Sequence, residues 1–81
     1  MHIIIYAMTD FEIDLARIEE LQMLGDVHEL DNIFQKAYIA ITGGRKVVLY
    51  RRLAAINKEK IEEIETEDGL KDYKNRVYKY L

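Results

Sequence analysis

The chain has 81 residues, 12 Lys and Arg against 15 Asp and Glu, and neither Cys, Pro nor Trp. That length suits one small domain spanning residues 1–81, in which a lone chain buries only roughly 60–65% of the surface its unfolded form exposes. At 49% hydrophobic and 33% charged residues it is a globule, and collagen-like, disulfide-framework and Pro-rich linker classes are excluded.

Without cysteine there is no thiolate nucleophile, redox pair or sulfur-ligated zinc site. The apolar opening run Ile3 to Ala7 is too short for a membrane span and lacks the features of a secretory signal, so no membrane association and a cytoplasmic location are expected.

Residues 2–8 read as a strand, because three consecutive isoleucines and a tyrosine are apolar on both sides of the pleat. Thr9, Asp10, Phe11 and Glu12 form a capping-box pattern flanked by Met8 and Ile13 as a hydrophobic staple. A helix is therefore predicted from Phe11, with Leu15, Ile18 and Leu21 at helical spacing and Gly25 in the left-handed position that closes it.

Residues 26–44 support two readings. Val27, Leu30, Phe34, Ala37 and Ile41 continue a helical stripe, and Asp26 with Glu29 resembles a second capping box. Against this, the run Tyr38 to Thr42 is β-branched and aromatic, and Gly43 and Gly44 separate it from Val47 to Tyr50 in the manner of a hairpin turn. The favoured expectation is a short helix or loop over 26–34 and a hairpin from about Lys36 to Leu53. In that register Tyr38, Ala40, Val47 and Leu49 share one sheet face, and Ala37, Ile39, Ile41, Val48 and Tyr50 share the other. Two apolar faces exceed what two helices cover in so short a chain. Either the C-terminal segment folds over the second face or a partner does, and self-association into a homo-oligomer is expected.

Beyond Leu53, Asn57 is placed as the N-cap of a helix carrying Ile61 and Ile64, which Gly69 ends or kinks. Leu70, Tyr73, Val77 and Tyr80 then recur at helical spacing, although residues 76–81 also suit a closing strand. The fold class is thus α+β, of order β-α-β-β-α with a C-terminal helix or strand, the strand giving a ferredoxin-like βαββαβ pattern.

Charge is divided along the chain: residues 1–35 carry one Arg and eight acids, a net −7, whereas residues 36–81 carry eleven bases and seven acids, a net +4. Arg45, Lys46, Arg51 and Arg52 group with Tyr50, and Lys74 and Arg76 with Tyr78. Bases interleaved with tyrosines bind phosphates and stack on unpaired bases, which makes a nucleic-acid surface one reading. The opposing reading pairs these bases with local glutamates on a solvated face, and the acidic total also weighs against nucleic acid. The acidic half either keeps the chain soluble or engages a basic partner.

Catalytic chemistry finds little footing. His28, Glu29 and Asp31 lack the second histidine of a His-Glu-x-x-His zinc site, no serine exists, and Gly43 to Lys46 lacks phosphate-loop spacing. Asp10 with Glu12 or Asp14 offers a distant metal-dependent nuclease reading. The expectation is a non-enzymatic regulatory or interaction protein, with no catalytic residue, cofactor or metal. It binds a protein partner, or alternatively nucleic acid, through Arg45, Lys46, Tyr50, Arg51, Arg52, Lys74, Arg76 and Tyr78.

Overall fold

A computed structural model describes residues 9–81 as a small α+β domain of three helices and a three-stranded mixed sheet. The expected strand over residues 2–8 lies outside the described residues. The order is β1 (Phe11–Asp14), α1 (Leu15–Leu24), α2 (Val27–Thr42), β2 (Val47–Arg52), β3 (Lys58–Ile64) and α3 (Glu67–Tyr78). Strand β2 is central, parallel to β1 and antiparallel to β3. Among the described residues the sequence of elements is therefore βααββα, which replaces both β-α-β-β-α and the ferredoxin-like alternative.

The first correction falls on residues 9–14. Phe11 and Ile13 alternate with Glu12 and Asp14, and this period of two places them opposite Val47 and Leu49 in β1. The helix begins only at Leu15, capped by the Asp14 carboxylate, which accepts from the Ala16 amide at 3.0 Å. Gly25 closes α1 at φ 65°, as its position predicts, and its amide donates to the carbonyls of Gln22 and Leu21.

Residues 27–42 form one helix, so the hairpin expected over Lys36 to Leu53 is absent. Asp26 caps α2 by accepting from the Glu29 amide at 3.0 Å. Leu30, Phe34, Ala37, Ala40 and Ile41 are all buried along one stripe, and this burial outweighs the modest strand preference of Tyr38 to Thr42. Gly43 and Gly44 end the helix instead of turning a hairpin: the Gly43 amide donates to Ile39 and Ala40, the Gly44 amide to Ile41, and Gly44 lies at φ 85°.

The true hairpin joins β2 to β3 through Leu53 to Asn57, where a helix was expected to start. Asn57 closes that turn, its carbonyl accepting from the Leu53 amide at 2.9 Å. The strand register steps from Leu49 opposite Glu62 to Tyr50 opposite Lys60, leaving Ile61 as the extra residue of a bulge. Gly69 neither ends nor kinks a helix. It sits in the first turn of α3, where its amide donates to the capping Thr66 hydroxyl at 3.0 Å. The helical reading of the tail holds, with Leu70, Tyr73 and Val77 buried.

One core unites the inner sheet face, Ile13, Val47, Leu49 and Ile64, with the buried stripes of all three helices. Phe34 links α2 to α3, its ring 5.6 Å from that of Tyr73 and 5.8 Å from that of Tyr78. Residues at alternate positions face the other way, and among them Val48 is buried yet outside this core. The expectation of two apolar sheet faces is thereby corrected: the strand residues beside Val48 are mainly charged.

Leu30 is fully buried, and its truncation leaves a cavity. Leu30→Ala is expected to lower unfolding free energy by about 2–5 kcal/mol, and Gly25→Ala by about 1–2 kcal/mol from its left-handed backbone. Met23→Ala, at a residue 88% exposed, should change it by less than about 0.5 kcal/mol. Urea unfolding of the three variants measures the ranking.

Candidate functional site

The predicted site residues fall on several separate surfaces. Lys46, Tyr50 and Arg52 fall on the outer sheet face by the alternation of β2, and there they meet Lys58 and Lys60 of β3. Two cations from the next cross-strand pair lie over the Tyr50 ring, the Lys58 ammonium 4.7 Å and the Arg52 guanidinium 5.9 Å from its centroid. Lys58 and Lys60 were missed because residues 58–64 read as a helix; their alternation with Glu59 and Ile61 was the available signal.

Arg51 points the opposite way, toward α1, and donates to both Glu19 carboxylate oxygens at 2.7 and 3.3 Å. That hydrogen bonding, with the charge of Arg51, holds the Glu19 carboxyl below its usual range. Arg76 of α3 lies 3.5 Å from Glu62 and over the Tyr73 ring at 5.4 Å. Lys74 lies over Tyr78 at 5.3 Å, on the side of α3 that faces α2. Arg45 stands in the α2–β2 turn, without an ion pair among the described residues.

The bases are thus distributed over separate surfaces, and many have internal partners. Lys58 reaches across the sheet to Glu12 at 2.6 Å, while Lys60 and Lys46 converge on Glu63 at 2.7 and 3.6 Å. The Lys60 hydrogen bond and the charge of Lys46 keep the Glu63 carboxyl low. Acids of the first half and bases of the second, set apart in sequence, pair across elements as Glu12 with Lys58 and Glu19 with Arg51.

Sequence reasoning also missed the hairpin turn. Leu53 is 64% and Ile56 93% exposed, immediately beside Arg52 and Lys58. The turn is closed by its own backbone, with Ala54 and Asn57 bonded amide to carbonyl at 3.3 Å in both directions. It projects an apolar tip with basic shoulders. Two concavities flank α3. A groove of about 750 Å³ between α2 and α3 has Phe34 and Leu70 among its lining residues, with Tyr38, Glu67, Asp68 and Lys71 beside them. A smaller cleft of about 260 Å³ lies between α1 and α3, lined by Glu19, Gln22, Tyr73 and Arg76 among others.

Two tyrosines of α3 have displaced ionisation. Burial pushes the Tyr73 phenol up to about 12, against a partly offsetting pull from Arg76, and its hydroxyl has no hydrogen-bond partner among the described residues. Burial also raises Tyr78, whose hydroxyl donates to the Asp31 carboxylate.

The metal-nuclease trio finds other employment: Glu12 pairs with Lys58 and Asp14 caps α1. Among the described residues no group of three or more His, Asp or Glu side chains is arranged to hold a metal ion, and no helix is long and apolar enough to cross a membrane. Comparison with protein-family models, curated proteins and solved structures finds no match to the chain.

The tyrosine shifts set an alkaline limit on stability. An unfolded phenol ionises near pH 10, whereas the folded chain retains the Tyr73 proton to about 12. Stability contributed by the neutral phenol is complete below pH ~10 and falls as pH rises from there toward the folded value. Melting temperature should decline over that interval, in step with a delayed tyrosinate absorbance. Tyr73→Phe should flatten the decline and, by removing an unpartnered buried hydroxyl, leave stability at pH 7 unchanged or up to about 1 kcal/mol higher.

Proposed function

We propose that the chain is a non-enzymatic interaction protein, with a regulatory role, that binds a protein partner through the end of the β2–β3 hairpin. The observation that carries this reading is the exposed tip: Ile56, 93% exposed, and Leu53, 64% exposed, on a turn held by its own hydrogen bonds. Aliphatic side chains so placed contribute nothing to the core, and their burial against a partner is worth about 1.5–3 kcal/mol each. A turn already ordered loses little conformational entropy on docking.

The surroundings narrow the mode of binding. Strand β3 is an outer strand among the described residues, and its Lys58, Glu59, Lys60, Glu62 and Glu63, together with the bulge at Ile61, discourage pairing by another strand. Recognition therefore centres on tip side chains and not on added backbone hydrogen bonds. Arg52 and Lys58, gathered around Tyr50, favour a receptor that is apolar at its centre and acidic at its rim. Of the residues expected from sequence, Tyr50 and Arg52 belong to this surface directly. Lys46 lies at the far end of β2, and Arg51 and Arg76 are engaged with Glu19 and Glu62.

Affinity capture from the source cell, with bound protein and bound nucleic acid both identified, tests the reading. Leu53→Asp with Ile56→Asp is expected to weaken capture of a specific protein at least ten-fold, about 1.4 kcal/mol or more, with the melting temperature retained. Equal capture by the variant and the unaltered chain overturns the reading. Capture of nucleic acid alone, falling steeply with salt and with Arg52→Gln, favours the basic hairpin as a nucleic-acid surface instead.

A further inference from the structure

We infer that the hairpin tip docks into the α2–α3 groove of a second copy of this chain, in a head-to-tail contact. The inference rests on the tip being a protein-binding surface and supplies the partner's identity.

The groove has the receptor character that the tip calls for. Buried Phe34 and Leu70 provide apolar lining, and Tyr38 beside them is 45% exposed. A volume of about 750 Å³ falls within the range that accepts a drug-sized ligand, more than two aliphatic side chains require. Glu67 and Asp68 stand at its rim without an ion pair among the described residues, as do Lys71 and Lys74. On the hairpin, Arg52 and Glu59 likewise have no ion pair among the described residues. The two surfaces therefore match in both signs, Arg52 with Glu67 or Asp68 and Glu59 with Lys71, around an apolar centre.

Topology forbids the same contact within one chain. The groove includes Glu67 and Asp68, which follow Ile64 at the end of β3 opposite Val47, whereas the tip lies at the other end of the hairpin. Six strand residues separate those ends, a span of roughly 17–20 Å that the paired strands hold open. Tip and groove are distinct patches, so a copy docked by its tip either receives the partner's tip in return, closing a two-fold dimer, or leaves its own groove free for a third copy.

Sedimentation of the full chain from roughly micromolar to millimolar concentration tests the inference, alongside two variants with exposed substitutions. One is the tip variant Ile56→Asp; the other is the groove variant Tyr38→Arg with Asp68→Lys. The unaltered chain should rise in average mass above the monomer, to a closed reciprocal dimer or to longer assemblies. Each variant alone should remain monomeric, and the equimolar mixture should form a 1:1 pair and nothing larger, because it contains one intact tip and one intact groove. Circular dichroism melts verify that both variants are folded. A monomer throughout, association unaffected by either variant, or a mixture that stays monomeric overturns the inference. If the tip variant loses capture of a different protein while the unaltered chain stays monomeric, self-docking fails and the interaction function stands. If tip substitutions alter neither capture nor mass, both fail.

Discussion

Strand β2 is the element on which the arrangement depends. It alone among the described strands has a neighbour on each side, and its alternation sends Val47 and Leu49 inward and Val48, Tyr50 and Arg52 outward. Val47 and Leu49 are 0% and 2% exposed, so slipping the register by one residue would turn both outward and bring Val48 with either Tyr50 or Lys46 into their place. That cost fixes where the outward residues stand. The cluster of Tyr50, Arg52 and Lys58 is thereby held by the same hydrophobic burial that holds the core, and the direction of the tip follows from it.

Charge takes a different meaning once folded. The division of −7 and +4 along the chain is a division of segments, and the sheet and α1 bring the segments into contact. Lys58 with Glu12 and Arg51 with Glu19 are exposed pairs that make modest contributions to stability; their larger consequence is to neutralise bases that otherwise invite phosphate. What distinguishes the hairpin tip is therefore the conjunction of aliphatic exposure with the ion-pair-free Arg52, since charge of either sign is abundant elsewhere.

The legible parts of the sequence were those in which local signals agreed. Gly25 closed α1, Asp26 capped α2, and the apolar spacing of Leu70, Tyr73 and Val77 built α3, each requiring only nearby residues. Residues 9–14 and 36–42 misled because two periods fit the same short run. Phe11 with Leu15 satisfies a helix as well as Phe11 with Ile13 satisfies a strand, and only the distant Val47 and Leu49 decide between them. Lys58 to Ile64, rich in Lys and Glu, carries helix-forming residues into a strand because its partner β2 supplies the hydrogen bonds and Ile64 the inward anchor. Of the expected site, Tyr50 and Arg52 survive as neighbours because alternation along β2 puts both on one face whichever strands pair with it, although the partner expected for it, residues 37–42, is helix. Lys58 and the tip escaped notice with the strand that bears them.

Small size explains why an exposed tip and an open groove coexist. Three helices supply one buried stripe each to one sheet face, and that single core absorbs the aligned apolar residues of every element. Leu53 and Ile56 sit beyond the last strand residues, where no helix of the described chain reaches. Phe34 is drawn between Tyr73 and Tyr78, and the two helices diverge enough beside it to leave the groove open. Each feature marks a boundary of the same core, one at a strand end and one at a helix seam. Their separation by a strand length keeps the tip of one chain out of its own groove, so among the described residues neither covers the other, and each presents an apolar centre with a charged edge.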